Sequence, residues 1–157
     1  MEISGLPAHP LVVHAVVVLT PLAALAGLVY AATPRWRYAL RWPLVLLTAI
    51  AFVAAFVAAA SGQSLLDARG LGQLESVRTH REAGTLLRNI LGPYLLVVVL
   101  AAYRLGGPSG LVSGRGDRPL RGGAVDVAVS VLLALASVAV LALVIRAGDT
   151  GARAVWG

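Results

Sequence analysis

The sequence predicts an all-α, polytopic membrane protein: a four-transmembrane-helix up-down bundle with an amphipathic helical extension before the third span. Three observations predict it. Four long apolar stretches run through the 157 residues, with intervals that carry most of the charge. The chain is 59% hydrophobic and only 13% charged, about half the charged share of a soluble domain. The alternation of a membrane β-strand is absent. Hydrocarbon offers no partner to a backbone N–H or C=O, so an isolated apolar segment that crosses it must be helical. The length suits one domain, residues 1–157. Seventeen glycines without a Gly-X-Y period exclude collagen, and the lack of cysteine excludes disulfides, thiolate metal sites and cysteine nucleophiles.

The spans are expected at about 11–32, 44–61, 86–105 and 126–146. The first, Leu11–Ala32, is interrupted only by His14, Thr20 and Pro21, and Pro10 suits a first helical turn. With no basic residue before it and no clear cleavage site after it, this span does not read as a signal peptide. The second carries two rows of small residues at four-residue spacing, Ala51, Ala55, Ala59 and Ala54, Ala58, Gly62, which let helix backbones approach. Before the third span, Gln73, Val77, His80, Gly84, Leu87 and Leu91 share one helical face, and Glu75, Arg78, Glu82 and Thr85 the other. The apolar run Ile90–Tyr103 is short of the roughly 20 residues a bilayer needs. It spans by borrowing Leu86 and Leu87, with Arg88 snorkelling to the interface. Pro21 and Pro93 are expected to kink their helices. The loop Gly106–Gly123 reads as a flexible connector that meets anionic lipid, and Asp126 opens the fourth span where a helix dipole favours a carboxylate. No internal repeat at a fixed period is evident.

All thirteen basic residues are arginine. They flank the apolar runs instead of forming a stripe, which argues for lipid and against nucleic acid as the partner. Arg35, Arg37 and Arg41 follow the first span directly. Seven arginines (35, 37, 41, 104, 115, 118, 121) fall in the first and third loops and six (69, 78, 81, 88, 146, 153) on the opposite side. Tyr30, Trp36, Tyr38, Trp42 and Tyr103 gather on the first-and-third-loop side, as an aromatic belt does. The positive-inside rule then places the N-terminus and the C-terminus outside.

All three histidines, His9, His14 and His80, are expected at the outer end with Asp67, Glu75, Glu82 and Asp149. Five residues turn a helix through about 500°, so His9 and His14 diverge unless the chain before Pro10 folds back. His80 lies on the inward face, with Gly84 one turn below it, where another helix or a flat ligand could approach. Imidazoles on different helices of a bundle can ligate haem iron axially, and His14 and His80 are the preferred pair, with His9 a third candidate. All three, with a carboxylate, could hold a transition metal ion. Asp67, Glu82, Arg88 and Asp149 are candidates to orient those ligands from behind. The plainer reading makes the histidines interfacial hydrogen-bonding residues, and proton transfer is a further one. Walker, GxSxG, HExxH and CxxCH motifs are missing, so hydrolytic enzyme activity is least favoured. The segment GRGDRPLRGG lacks the ending of a phosphate loop. The interiors of spans two and four lack ionisable residues, which gives a transporter little support.

The opening GLPAHPLVVHAVVVLTPLA, then SGQSLLD, ESVRTHREAG and the tail GDTGARAVWG, resembles domain-of-unknown-function family 2231, small bacterial membrane proteins. The likeness covers nearly the whole chain. His9, Pro10 and His14 match the family's opening motif, and His80, Glu82 and Gly84 its middle one; Asp149 stands where relatives often carry histidine. The resemblance implies a four-helix protein of the inner (cytoplasmic) membrane. Some relatives are joined to Rieske or cytochrome-type domains, which implies a redox neighbourhood and a separate redox protein as partner here. The reading is therefore a membrane protein with a histidine-lined outer site for haem b or a metal ion in an electron-transfer or redox-accessory role. The alternative is a cofactor-free structural or interaction subunit of a larger membrane assembly or homo-oligomer. A reporter fused after Gly157 is expected to be labelled from outside intact cells; labelling only from the cytoplasm reverses the topology.

Overall fold

Four helices carry the chain back and forth. The computed structural model describes residues 2–3, 6–69, 74–111, 113–120 and 122–156. Two-residue strands β1 (Glu2–Ile3) and β2 (Leu6–Pro7) pair antiparallel and lead directly into α1 (Ala8–Ala32). A single 3-10 turn, Pro34–Trp36, joins α1 to α2 (Arg37–Arg69). Then come α3 (Glu75–Arg104) and α4 (Ala124–Trp156). Helices α1 and α3 each pack against both α2 and α4, so α1 and α3 lie on one diagonal of the bundle.

All four helices are long and apolar enough to cross a membrane. All four begin before the expected spans, and α2, α3 and α4 exceed them by two turns or more. At 1.5 Å per residue the 33 residues of α2 reach roughly 50 Å, well beyond a 30 Å hydrocarbon core. The excess is polar helix: α2 continues through Ser61–Arg69, α3 begins at Glu75, and α4 takes in the glycine-bearing tail to Trp156. Helix α1 runs on through Pro21 and α3 through Pro93.

The packing buries many small side chains beside a few large ones such as Tyr94, Leu44, Leu91 and Leu133, and leaves many large apolar ones outside. Ala23, Ala24, Ala51, Ala55, Thr20, Thr48 and Ser137 are buried, whereas Leu22, Leu25, Ile50, Val53, Leu96 and Leu135 are exposed. Apolar solvent lets many leucines face outward, and close backbone approach rewards alanine and serine between the helices. The first predicted row of small residues is therefore an interior row at Ala51 and Ala55, and Ala54 and Ala58 of the second pack against the core. At mid-bundle the Tyr94 hydroxyl donates to Ala23 O at 3.2 Å and lies 3.0 Å from Ser137 Oγ, joining α3, α1 and α4.

The end formed by the first and third loops is closed by two arginines. Buried Arg37 donates from Nε to Tyr30 O (3.0 Å), from Nη2 to Ala31 O (3.1 Å) and from Nη1 to Gly106 O (2.9 Å). Arg118 donates to Ala102 O at 2.7 Å and also to Tyr103 O. The last carbonyls of α1 and α3 have no partner within their helices, and a guanidinium supplies both hydrogen bonds and the positive charge a helix C-terminus favours. Arg104 and Asp126, 3.0 Å apart, tie the end of α3 to the start of α4.

The loop before α4 is correspondingly more ordered than the open connector the composition suggests. Gly107 and Arg118 exchange backbone hydrogen bonds at 3.1 Å, and Asp117 accepts from the Ser109 backbone N–H, which holds its carboxyl below the ordinary range.

A Cβ on Gly27 would fall 2.6 Å from the Tyr94 hydroxyl and closer still to Ser137 Oγ. Gly27→Val is expected to destabilise the purified protein by about 1–3 kcal/mol, the usual cost of overpacking, read as a lowered melting temperature in detergent.

Candidate functional site

At the opposite end, His9 begins α1 and His80 lies in the second turn of α3. Both are half-buried. Each imidazole leans on the other helix of its own hairpin. His9 Nδ1 is 3.0 Å from Ala58 O and 3.3 Å from Ser61 Oγ on α2. His80 Nδ1 is 3.2 Å from Ala147 O and 3.4 Å from Thr150 Oγ1 on α4. In both places the hydroxyl also donates to the same carbonyl, Ser61 to Ala58 O and Thr150 to Ala147 O, each at 3.1 Å.

The glycine that follows each hydroxyl residue makes room for the ring. A Cβ at Gly62 would meet His9 Cε1 at 2.9 Å, and one at Gly151 would meet His80 Cε1 at 3.0 Å. The two cradles share the pattern Ala-x-x-Ser/Thr-Gly, at 58–62 and 147–151. The pattern is a repeat without a fixed period, because a short turn joins α1 to α2 and a long loop joins α3 to α4.

The chemistry follows from the acceptor. A carbonyl oxygen can only accept, so Nδ1 carries the hydrogen and Nε2 of each neutral ring keeps its lone pair. An Nδ1–H bound to a carbonyl also fixes the ring's orientation and strengthens Nε2 as a donor to a metal. The rings lie on diagonal helices at the same end of the bundle.

The structure thus brings His9 and His80 to one end of the bundle, each on the same kind of seat. His14, five residues into α1 from His9, is exposed. Because His9 is itself helical, the divergence set by helix geometry applies. Asp67 accepts from Gln63 at 2.9 Å, Asp149 pairs with Arg153 at 3.0 Å, and Glu82 is exposed. Arg88 donates to Asn89 Oδ1 and sits 5.3 Å from the Phe56 ring centre. The groups behind the two imidazoles are instead Ala58, Ser61, Ala147 and Thr150. Among the described residues no three His, Asp or Glu side chains are grouped to hold a metal ion.

A Cβ at Gly84, one turn along α3 from His80, would meet nothing within 4 Å. The missing side chain leaves open space there, and no helix closes on it.

The family model described as "Predicted membrane protein (DUF2231)" matches residues 5–157. The chain belongs to the DUF2231 family. No curated protein and no solved structure matches it. This DUF2231 protein is therefore a multi-pass membrane protein with four candidate membrane-spanning helices.

Nitrogen NMR of the DUF2231 protein prepared without added cofactor is expected to show His9 and His80 both protonated at Nδ1 at neutral pH. Gly62→Ala and Gly151→Ala should each disturb only the ring they touch. An Nε2–H tautomer at either position contradicts the hydrogen-bond assignment.

Proposed function

We propose that this protein binds haem b between His9 and His80 and serves electron transfer, or supports a redox complex, in the inner membrane. The observation that carries the reading is the pair of like-seated imidazoles on diagonal helices, each with Nδ1 committed to a carbonyl and Nε2 left as the donor. A porphyrin brings four of iron's six ligands, so two imidazoles complete the set. A bare zinc or copper ion asks the protein for three or four. No such third group stands with the two rings among the described residues, which favours haem over a transition metal ion alone. The open space at Gly84 suits a flat ligand beside the His80 ring.

Haem, when bound, supplies a one-electron couple. The chain's own part is to hold and orient. Ala58 and Ala147 fix the rings through their carbonyls, and Gly62 and Gly151 let the rings lie close to the helices. An outward-facing position for this end, with both termini outside, follows from the arginines and aromatics at the other end. An electron partner would then dock from the outer face. His14, exposed on α1, is not a ligand in this reading.

The alternative of a cofactor-free subunit draws on the same hydrogen bonds: each ring also works as a peg within its hairpin. An absorbance spectrum separates the two. Protein made with haem and metals available is expected to show a Soret band and one haem per chain. His9→Ala and His80→Ala should each abolish it, and His14→Ala should retain it. Protonation of Nε2 removes the donor lone pair, so haem should be lost on acidification. A protein without a Soret band, or one that keeps its haem after loss of either His9 or His80, overturns the proposal.

A further inference from the structure

The bundle's other end holds a cleft of about 130 Å³ among Tyr30, Arg37, Arg41, Trp42 and Arg118. Its charge is one-sided. Three guanidiniums line it, and no carboxylate does so among the described residues. The Arg37 guanidinium lies 5.9 Å from the Tyr30 ring centre. Asp126, a carboxylate at this end, is paired with Arg104 at 3.0 Å.

Two polar groups at the cleft are unused. Tyr30 is fully buried, and its hydroxyl has no hydrogen-bond partner among the described residues. Arg41 Nε is likewise buried without one. A buried hydroxyl left unpaired costs on the order of 1–3 kcal/mol, so a group that accepts hydrogen bonds is favoured beside it. Arg37 and Arg118 already spend donors on helix carbonyls, which fixes them in place and leaves their charge as the attraction. The guanidinium of Arg41 lies 4.9 Å from the Trp42 ring centre and 5.8 Å from that of Tyr103.

The aromatic setting gives the depth. Trp36, Tyr38, Trp42 and Tyr103 are exposed at this end of the bundle, and such rings settle at the level of lipid headgroups. A phosphate group is the anion found at that depth, and its oxygens accept from guanidinium and phenol alike.

We propose that this cleft is a phosphate-binding site, with Tyr30 and Arg41 as its hydrogen-bond donors and Arg37 and Arg118 as fixed charges. The site is independent of the histidine end.

The test uses the full chain in detergent micelles doped with phosphatidylglycerol and phosphatidylcholine, with retained lipids counted by native mass spectrometry. A parallel arm titrates inorganic phosphate and follows tryptophan fluorescence. Phosphatidylglycerol is expected to be retained over phosphatidylcholine by about five-fold or more. Arg41→Gln and Tyr30→Phe should each remove most of that preference in protein that still elutes as a single sharp peak. Arg35→Gln, an exposed arginine on the same face, should leave it intact. Preference for phosphatidylglycerol without a phosphate response assigns the site to a lipid headgroup. A saturable phosphate response without lipid preference assigns it to a soluble phosphate. Neither response, or equal losses from Arg35→Gln and Arg41→Gln, overturns the site, because bulk surface charge then accounts for the binding.

Discussion

Hydrocarbon accepts no hydrogen bonds, and that single property of the solvent organises this molecule. Within each helix the backbone satisfies itself. Between helices and at their ends, side chains must do the work, and here they do it by reaching for backbone carbonyls. Arg37 and Arg118 finish α1 and α3 at one end. His9 and His80 bind carbonyls of α2 and α4 at the other. Tyr94 bridges three helices between them. Alanine and glycine let the helices close around a core of leucine, valine and tyrosine.

The two hairpins solve the same problem in the same way. An arginine caps the first helix of each, and an imidazole from that helix's other end rests on an Ala-x-x-Ser/Thr-Gly seat in the second. Where the copies differ is in their connections: three residues of 3-10 turn in one case, and in the other a loop held by its own bridge between Gly107 and Arg118. Equivalent chemistry has survived unequal spacing. A serine in one seat and a threonine in the other supply the same hydroxyl.

The spans, the small-residue row at Ala51 and Ala55 and the inward face of His80 were legible in the sequence, because hydropathy and helical period speak for them directly. The partners of the imidazoles were not. A backbone carbonyl has no residue signature, so attention goes to charged side chains such as Asp67, Glu82 and Asp149, and these face outward or pair locally. The seats could have been found by setting AAASG beside AGDTG, but alanine-rich helices hide so short a likeness. His9 was obscured for another reason: Pro10 marks a helix start without saying that the residue before it is already helical. In the third loop, Gly and Arg look like linker composition, while Arg118 is in fact committed to the end of α3.

Each imidazole is fastened inside its own hairpin, and neither hydrogen bond crosses from one hairpin to the other. The spacing between the rings therefore belongs to the seam where α1 meets α4 and α2 meets α3. That seam is mostly apolar, and its directional bonds are the Tyr94 bridge at mid-bundle and those of Arg37 to Gly106 O and Ser130 Oγ at the end away from the imidazoles. A small rocking of one half against the other would widen or narrow the gap while both rings keep their aim, much as the jaws of a vice move without loosening their faces.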